Sequence, residues 1–190
     1  SAETVRVPVT TRVRLVAGVP RIDITTEIDN KARDHRLRVH FPSGIPAQVA
    51  EYDGHFEVVR RSVALPSADE TWIEDPRPEA PQRAFVAVSD ATRGLLIAND
   101  GLHEASVSAE GDIALTLLRC VGWLSRDDFS TRRGHAGPAL ETPGAQMPGV
   151  WRFNYSIVPF AAADKLAAYQ AAYAFEASLR ALAAQPHHGP

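Results

Sequence analysis

Residues 21–30 read Arg-Ile-Asp-Ile-Thr-Thr-Glu-Ile-Asp-Asn, a stretch in which three isoleucines alternate with polar residues. Successive side chains of an extended strand leave opposite faces of a sheet, so this spacing predicts a strand with one buried face. Residues 12–16 (Arg-Val-Arg-Leu-Val) and 37–41 (Leu-Arg-Val-His-Phe) repeat the pattern on either side. Asp29-Asn30-Lys31 is typical of a turn between two of these strands. Three half-buried strands in succession predict an all-β fold.

Short apolar runs between Gly, Pro, Asn and Asp residues predict more strands further along the chain. These runs lie at 56–62, 83–89, 94–98, 105–108, 113–119 and 150–157. Three prolines in residues 76–81 predict a loop, because proline has no backbone donor for a sheet. Many short strands joined by such turns indicate an antiparallel β-sandwich, which we place at residues 1–160.

Residues 161–184 differ in composition, since they are rich in alanine and contain neither proline nor glycine. This composition predicts a C-terminal helix by intrinsic propensity, with Asp164 in position to cap it. Two apolar stripes follow it, one at Leu166, Tyr169 and Tyr173 and the other at Phe175, Leu179 and Leu182. The second stripe is rotated from the first, so we expect a break near Ala174. Residues 185–190 are expected to be a disordered tail.

The composition excludes several classes of partner. The 190 residues include 20 Lys and Arg and 23 Asp and Glu, which gives a net charge of −3. This charge produces no electrostatic field that would recruit nucleic acid or an anionic membrane. No apolar run approaches the roughly 18 residues that a membrane helix requires. The chain starts without a secretory signal pattern, and its single cysteine fits a reducing compartment. We therefore expect a cytoplasmic protein.

The chain offers no catalytic or metal-binding set of its own. Zinc needs three or four converging ligands, whereas His35 and His40 are predicted on opposite strand faces and His103 and His135 have no neighbour at ligand spacing. Cys120 follows a predicted strand without a base beside it, which favours a small buried side chain over a nucleophile. The sequence therefore predicts no catalytic residue, no metal site and no bound cofactor.

Arg119 is the first candidate for a functional residue. It ends the apolar run 113–118, and side chains at strand ends commonly carry function. Its planar fork of donors can bind sugar hydroxyls or a carboxylate, and pairing with an acid at the edge of the sheet is the structural alternative.

Asp127 and Asp128 are the next candidates. Two carboxyls that act together in catalysis must face one substrate, whereas neighbouring loop aspartates usually diverge. A turn or cap role is therefore expected for both, and an indirect contact with sugar or with another domain is the alternative. In the same stretch, contacts with another domain are predicted for Trp123, Arg126, Arg132, Arg133 and His135, and a solvated loop is the structural alternative. Trp151, Phe153 and Tyr155 share one strand face and are expected in the core.

Several motifs between Gly101 and Pro159 occur in a specific order. They are Gly101-Leu102-His103-Glu104, Leu117-Leu118-Arg119, Gly122-Trp123-Leu124-Ser125-Arg126-Asp127-Asp128, Arg133-Gly134-His135-Ala136-Gly137-Pro138, Thr142-Pro143-Gly144-Ala145-Gln146 and Phe153-Asn154-Tyr155-Ser156-Ile157-Val158-Pro159. In this order they resemble the carboxyl-terminal β domain of glycoside hydrolase family 38, the zinc-dependent α-mannosidases. The resemblance implies a supersandwich, galactose-mutarotase-like β fold.

The resemblance also implies a division of labour. In the family, zinc and the aspartate nucleophile belong to an amino-terminal barrel, which a helical domain follows before this sandwich. An arginine at the end of the Leu-Leu-Arg strand projects toward the catalytic pocket, and that position is Arg119 here. The expected partners are therefore the barrel and helical domains of the same polypeptide and an α-mannoside. An inactive fragment is expected, with zinc in the missing domain. An autonomous carbohydrate-binding module, for which Trp72 and Trp123 offer rings, and a purely structural brace are the alternatives.

Overall fold

Within residues 4–177, which a computed structural model describes, the chain forms eleven strands and one α-helix. The strands are β1 (Val9–Leu15), β2 (Ile22–Asn30), β3 (Arg36–Pro42), β4 (Val49–Asp53), β5 (Val58–Ser62), β6 (Ala80–Pro81), β7 (Phe85–Ser89), β8 (Arg93–Asn99), β9 (Glu104–Val107), β10 (Asp112–Arg119) and β11 (Gly149–Ala161). The helix α1 covers Lys165–Glu176, after a 3-10 turn at Ala162–Asp164.

Two antiparallel sheets form the sandwich. The larger has seven strands in the order β1-β2-β11-β8-β7-β4-β5, and the smaller has four in the order β3-β10-β9-β6. Their facing sides enclose the main core, to which Ile28 and Ile97 contribute from the larger sheet and Ile113 and Leu115 from the smaller one. The all-β antiparallel sandwich predicted from the alternation is thereby confirmed.

Helix α1 covers the outer face of the larger sheet and forms a third layer. Phe85, Ala87 and Leu96 point toward the helix, while Val86 and Ile97 between them point into the sandwich. The strands β7 and β8 are therefore buried on both faces, which explains their nearly continuous apolar sequence.

The helix differs from the sequence-based expectation. It begins at Lys165 and ends at Glu176, close to the break expected near Ala174, but the Asp164 side chain makes no capping hydrogen bond. Its buried residues are alanines, whereas Leu166 of the expected stripe is 69% exposed. Small side chains let the helix lie close to the sheet, so the tyrosines reach down between the alanines. Residues 178–190, with the expected second stripe and tail, lie outside the described residues.

Two further expectations are corrected. The predicted turn at Asp29-Asn30-Lys31 is wrong in position, because β2 continues to Asn30, which is fully enclosed and hydrogen-bonded to a distant loop. Trp151 is 38% exposed, although Phe153 and Tyr155 are buried as expected. The Trp151 indole instead donates a 2.9 Å hydrogen bond to the carbonyl of Met147.

Residues 4–177 contain no helix that is long and apolar enough to cross a membrane.

Candidate functional site

Arg119 lies at the end of β10 in an orientation that strict alternation would not produce. Ile113 and Leu115 point into the core, so alternation would turn residues 117 and 119 inward as well. The pairing of β10 with β3 shifts between Thr116 and Leu118, which marks a β-bulge. Two consecutive leucines are therefore buried, and Arg119 points outward with 67% of its side chain exposed. Bulges of this kind often re-aim a side chain next to a functional site.

Glu104 on β9 is the acidic partner of this arginine. Its Oε2 lies 3.7 Å from Nη1 of Arg119. Its Oε1 accepts a 2.7 Å hydrogen bond from Oγ1 of Thr116 and a 2.5 Å hydrogen bond from Nη2 of Arg36. Burial raises the pKa of Glu104, but these hydrogen bonds and the charges of the two arginines outweigh burial and bring the pKa below its ordinary value. Glu104 is therefore ionised at neutral pH.

A second glutamate completes this polar face of the smaller sheet. Glu79 Oε1 lies 2.9 Å from Nη1 of Arg36 and 3.7 Å from Nη1 of Arg38. Arg38 also donates hydrogen bonds to the Ser106 hydroxyl and, at 3.2 Å, to the carbonyl of Ala114. The positive charges on β3 are thus balanced within the sheet, and Arg119 is the arginine of this face with the most exposed side chain.

The loop that follows Arg119 is anchored at both ends, and at its start the backbone N–H of Cys120 donates a 2.8 Å hydrogen bond to the carbonyl of His35. Gln146 accepts a 2.9 Å hydrogen bond from the backbone N–H of Asp34 and donates a 2.8 Å hydrogen bond to its carboxylate. Asn30 donates to the carbonyls of Gln146 and Met147 at 3.1 and 2.8 Å. These contacts hold residues 120–148 against the start of β3 and fix the direction in which the chain leaves β10.

Asp127 and Asp128 diverge, as expected for neighbouring loop aspartates. Asp128 accepts hydrogen bonds from Nε, at 2.7 Å, and Nη2 of Arg126. Asp127 points elsewhere, with Oδ2 3.6 Å from Nε2 of His135. A carboxylate pair aimed at one substrate is therefore absent from this loop, and any indirect sugar contact stays a prediction.

Arg132 and Arg133 join this loop to the segment before β6. Arg132 donates a 2.5 Å hydrogen bond to Glu74, and the two residues also form a backbone bridge. Arg133 donates from its side chain to the carbonyl of Glu70 at 3.0 Å and from its backbone to that of Ile73 at 2.8 Å. Both arginines thus have partners within the domain, and their expected contacts with another domain stay predictions.

We call the surface formed by residues 63–79 and 120–148 the loop face. A second bridge, between Trp123 and Glu141, closes the base of the longer segment. Several large apolar side chains of the loop face are exposed. They are Leu65, Trp72, Ile73, Val121, Trp123, Leu124, Phe129 and Leu140. The loop face therefore offers apolar groups, with arginines among them, and its longer segment begins directly after Arg119.

Residues 4–177 contain no group of three or more His, Cys, Asp or Glu side chains that could hold a metal ion. His40 instead pairs with Asp112, at 2.6 Å between Nδ1 and Oδ2. Cys120 is buried, and burial raises the pKa of its thiol despite a weak hydrogen bond from Asn30. The donor set of the described residues does not fit zinc, and Cys120 is not an activated nucleophile.

Sequence reasoning missed the residues that surround Arg119, namely Arg36, Glu79, Glu104 and Thr116. Glu104 had a signal, because it ends the Gly-Leu-His-Glu motif and precedes the alternating residues of β9. Arg36 and Glu79 had none, since they lie 83 and 40 positions before Arg119 and only the sheet brings them together.

Comparisons with known proteins agree on one family. Residues 2–130 match the family described as "Glycosyl hydrolases family 38 C-terminal domain". A protein of Halalkalibacterium halodurans named "Putative mannosylglycerate hydrolase" is 31% identical over 175 residues, which are 91% of this chain and 18% of that protein.

Two solved structures from Enterococcus faecalis are similar in fold and sequence. One is an alpha-mannosidase, with a TM-score of 0.73 and 37% identity. The other is a protein in the glycosyl hydrolase family 38, with a TM-score of 0.72 and 35% identity. Each match covers 87% of this chain and 17% of the other, so the chain spans under a fifth of the relatives it matches.

Proposed function

The chain belongs to the C-terminal domain family of the family 38 glycosyl hydrolases, and from this premise we propose that it completes the sugar pocket of an α-mannosidase. Arg119 is the residue that reaches the pocket, and the loop face packs on the catalytic barrel. The single observation that carries the proposal is the β-bulge, which turns Arg119 out of the core and leaves its guanidinium exposed beside that face.

The chemistry of Arg119 suits this role. A guanidinium is always charged and has up to five donors in a plane, so it binds vicinal sugar hydroxyls or a carboxylate with defined geometry. Its 3.7 Å contact with Glu104 is too long for a hydrogen bond, so its donors are available to a ligand. The catalytic barrel would exclude water from the pocket, and this exclusion would strengthen each of these hydrogen bonds.

We assign the zinc ion and the nucleophile to the catalytic domain, because the donors of residues 4–177 do not fit a zinc site. An assay of the 190-residue chain on an aryl α-mannoside with added zinc should therefore show no turnover. Robust turnover would contradict this division of labour. A cytoplasmic location is part of the proposal, supported by one cysteine that is free and buried.

The decisive experiment uses the polypeptide that carries this domain together with its catalytic domain. Arg119→Ala should lower kcat/KM for an aryl α-mannoside by about 10- to 100-fold, the loss expected for one charged hydrogen-bond donor. The melting temperature should stay within about 2 °C of the parent, because exposed ion pairs contribute little to stability.

Arg152→Ala is the matched control. Arg152 is 64% exposed and pairs with Glu27 at 3.0 Å, but it lies on β11 in the other sheet. Its removal should leave kcat/KM unchanged. If Arg119→Ala is also kinetically silent, the domain acts as a structural brace. If it lowers kcat/KM only by unfolding the domain, Arg119 has a structural role.

The role of the loop face is tested separately in the same polypeptide. Leu124→Glu should loosen the contact between domains, because an unpaired charge in an interface is costly. We expect a lower melting temperature and faster proteolysis between the domains. Leu166→Glu on α1 is the control, since both leucines are largely exposed within this domain. Equal effects of the two substitutions would contradict the assignment of the interface to the loop face.

A further inference from the structure

The motif Gly101-Leu102-His103-Glu104 ends in an acid whose carboxylate faces Arg119. We propose that Glu104 is a positioning residue whose fixed negative charge orients the guanidinium of Arg119 for sugar binding by electrostatic attraction, without a hydrogen bond between them. This inference rests on the proposed function, because it assigns a partner to the arginine that reaches the pocket.

The two carboxylate oxygens of Glu104 divide their contacts in a way that supports this role. Oε1 is held from two sides, by the Thr116 hydroxyl at 2.7 Å and by Arg36 at 2.5 Å. Oε2 faces Nη1 of Arg119 at 3.7 Å. Because Oε1 is anchored, the carboxylate cannot rotate freely, and Oε2 stays directed at the arginine.

The charges around Glu104 leave its negative charge available to Arg119. Arg36 also pairs with Glu79 at 2.9 Å, so its charge is already balanced from the other side. The carboxylate of Glu104 is largely enclosed by these neighbours, while most of the Arg119 side chain is exposed. Glu104 is thus the hydrogen-bonded member of the pair, and Arg119 is the exposed member.

The register of the smaller sheet places these groups together. β9 pairs with β10 so that Ala105 lies opposite Leu115, and Glu104 is therefore next to Thr116. The bulge then brings Arg119 to the same outer face, opposite Arg36 on β3. An exposed arginine has many rotamers, and binding a sugar would require it to lose that freedom. A fixed carboxylate restricts the rotamers before substrate arrives, which is how a supporting residue preorganises a contact.

A double-mutant cycle in the polypeptide with its catalytic domain tests this inference. Glu104→Gln keeps the size of the side chain and removes its charge. We expect it to lower kcat/KM for an aryl α-mannoside by about 10-fold, a coupling typical of contacting residues. In the Arg119→Ala background the same substitution should change kcat/KM by less than about 2-fold, because its effect passes through the arginine.

Thr116→Val is a second variant for the case that Glu104→Gln disturbs folding. It keeps the shape of the side chain and removes the hydroxyl that anchors Oε1. It should lower kcat/KM in the parent and have no further effect in the Arg119→Ala background. Glu27→Gln is the control for the acid, because Glu27 pairs with Arg152 at 3.0 Å in the other sheet.

Chemical rescue measures a recovery of kcat/KM that would not depend on Glu104 if its role were purely structural. Guanidinium ion added to Arg119→Ala should restore part of kcat/KM, and the restoration should be lost in Arg119→Ala/Glu104→Gln. Rescue that is equal in the two variants would contradict a positioning role.

The outcomes separate this inference from the proposed function. If Arg119→Ala lowers kcat/KM but Glu104→Gln is silent, or if the two losses simply add, the positioning role is overturned and the role of Arg119 stands. If Arg119→Ala is itself silent, the proposed function fails and the inference fails with it.

Discussion

Tyr173 of helix α1 donates a 2.6 Å hydrogen bond from its phenol to Oδ1 of Asp53 at the end of β4. The Asp53 side chain is 2% exposed, and its Oδ2 accepts a 3.0 Å hydrogen bond from the backbone of Ala84 and lies 3.2 Å from Nε of Arg83. Burial raises the pKa of Tyr173, and its hydrogen bond to Asp53 raises it further. The helix is therefore held on the sheet by a buried carboxylate as well as by apolar packing.

We expect Tyr173→Phe to lower the free energy of unfolding by about 1–3 kcal/mol, because it leaves Oδ1 of Asp53 without its donor in a buried site. Urea denaturation of the chain measures this change. Tyr169→Phe is the matched control, since both rings contact Phe85. Tyr169 donates to Glu51 at 2.8 Å, and Glu51 keeps Lys165 as a partner at 3.0 Å. A loss for Tyr169→Phe as large as that for Tyr173→Phe would contradict the special role of Asp53.

Gly94 on β8 lies beneath the ring of Phe160 on β11, its direct cross-strand partner. A Cβ atom at residue 94 would lie 2.1 Å from Cζ of that ring. Gly94→Ala should therefore destabilise the chain by about 1–3 kcal/mol, the usual cost of overpacking. Combining it with Phe160→Leu should recover part of the loss, and thermal unfolding measures both.

Gly137→Ala is the control for this prediction, because nothing lies within 4 Å of a Cβ atom at that position. It should be nearly neutral. Equal melting temperatures for Gly94→Ala and Gly137→Ala would show that the ring of Phe160 does not cover the glycine.

Asp90 shapes the turn between β7 and β8. Its Oδ1 accepts hydrogen bonds from the backbone of Thr92 and Arg93 at 2.7 and 2.9 Å and from the Thr92 hydroxyl at 2.7 Å. These hydrogen bonds, those from the backbone foremost, lower the pKa of Asp90 from 3.8 to about 2. A carboxylate with a depressed pKa stabilises the folded state above its unfolded pKa and loses that effect as the pH falls through the folded value.

Asp90→Ala should therefore lower the melting temperature at pH 6. The difference in melting temperature between this variant and the parent should shrink as the pH falls from 3.8 toward about 2. Calorimetry across this range, with NMR titration of the Asp90 carboxyl, measures both quantities. Asp100→Ala is the control, because in the part of the chain that the structure describes the Asp100 carboxylate makes no hydrogen bond. A difference for Asp90→Ala that is independent of pH would contradict the role of these hydrogen bonds.

Gln146 should control the order of the loop that follows Arg119. Gln146→Leu removes both hydrogen bonds to Asp34 and leaves the backbone N–H of Asp34 without its acceptor. We expect trypsin to cleave after Arg126, Arg132 or Arg133 at least about 10-fold faster, because cleavage follows local opening. Gln170→Leu on the exposed side of α1 is the control. Unchanged cleavage in Gln146→Leu would contradict this role of Gln146.

Much of the fold was predictable because it depends on local chemistry. The alternation in β2 and β3 marks half-buried strands from the covalent geometry of an extended chain alone. β1 is a strand as predicted, but its expected buried face is wrong, because all seven of its residues are exposed at the edge of the larger sheet. The alanine-rich stretch predicts a helix for an equally local reason. The short strands β4 and β6 were not predicted, since β6 consists of two residues at the end of a proline-rich segment and forms only through its pairing with β9.

The site was predictable only in part. The sequence, through its resemblance to a family, indicated Arg119 and the residues of the loop that follows it. It did not indicate Glu104 as the partner of Arg119, because the contact requires β9 and β10 to pair in one register. The exposure of Trp151 likewise depends on which strands pack over it in the folded domain, and the local sequence pattern does not predict this.

By itself, the sequence determined three properties: the strand-rich fold class, the family, and the helix at the end of the described residues. These depend on periodicity, ordered motifs and helix propensity, respectively. Only the tertiary structure decided that Arg119 points outward. The alternation of Ile113, Leu115 and Leu117 would direct it into the core, and a bulge that forms only when β10 pairs with β3 turns it to the surface. The physical reason is that side-chain direction on a strand is local, whereas a change of register exists only between two strands.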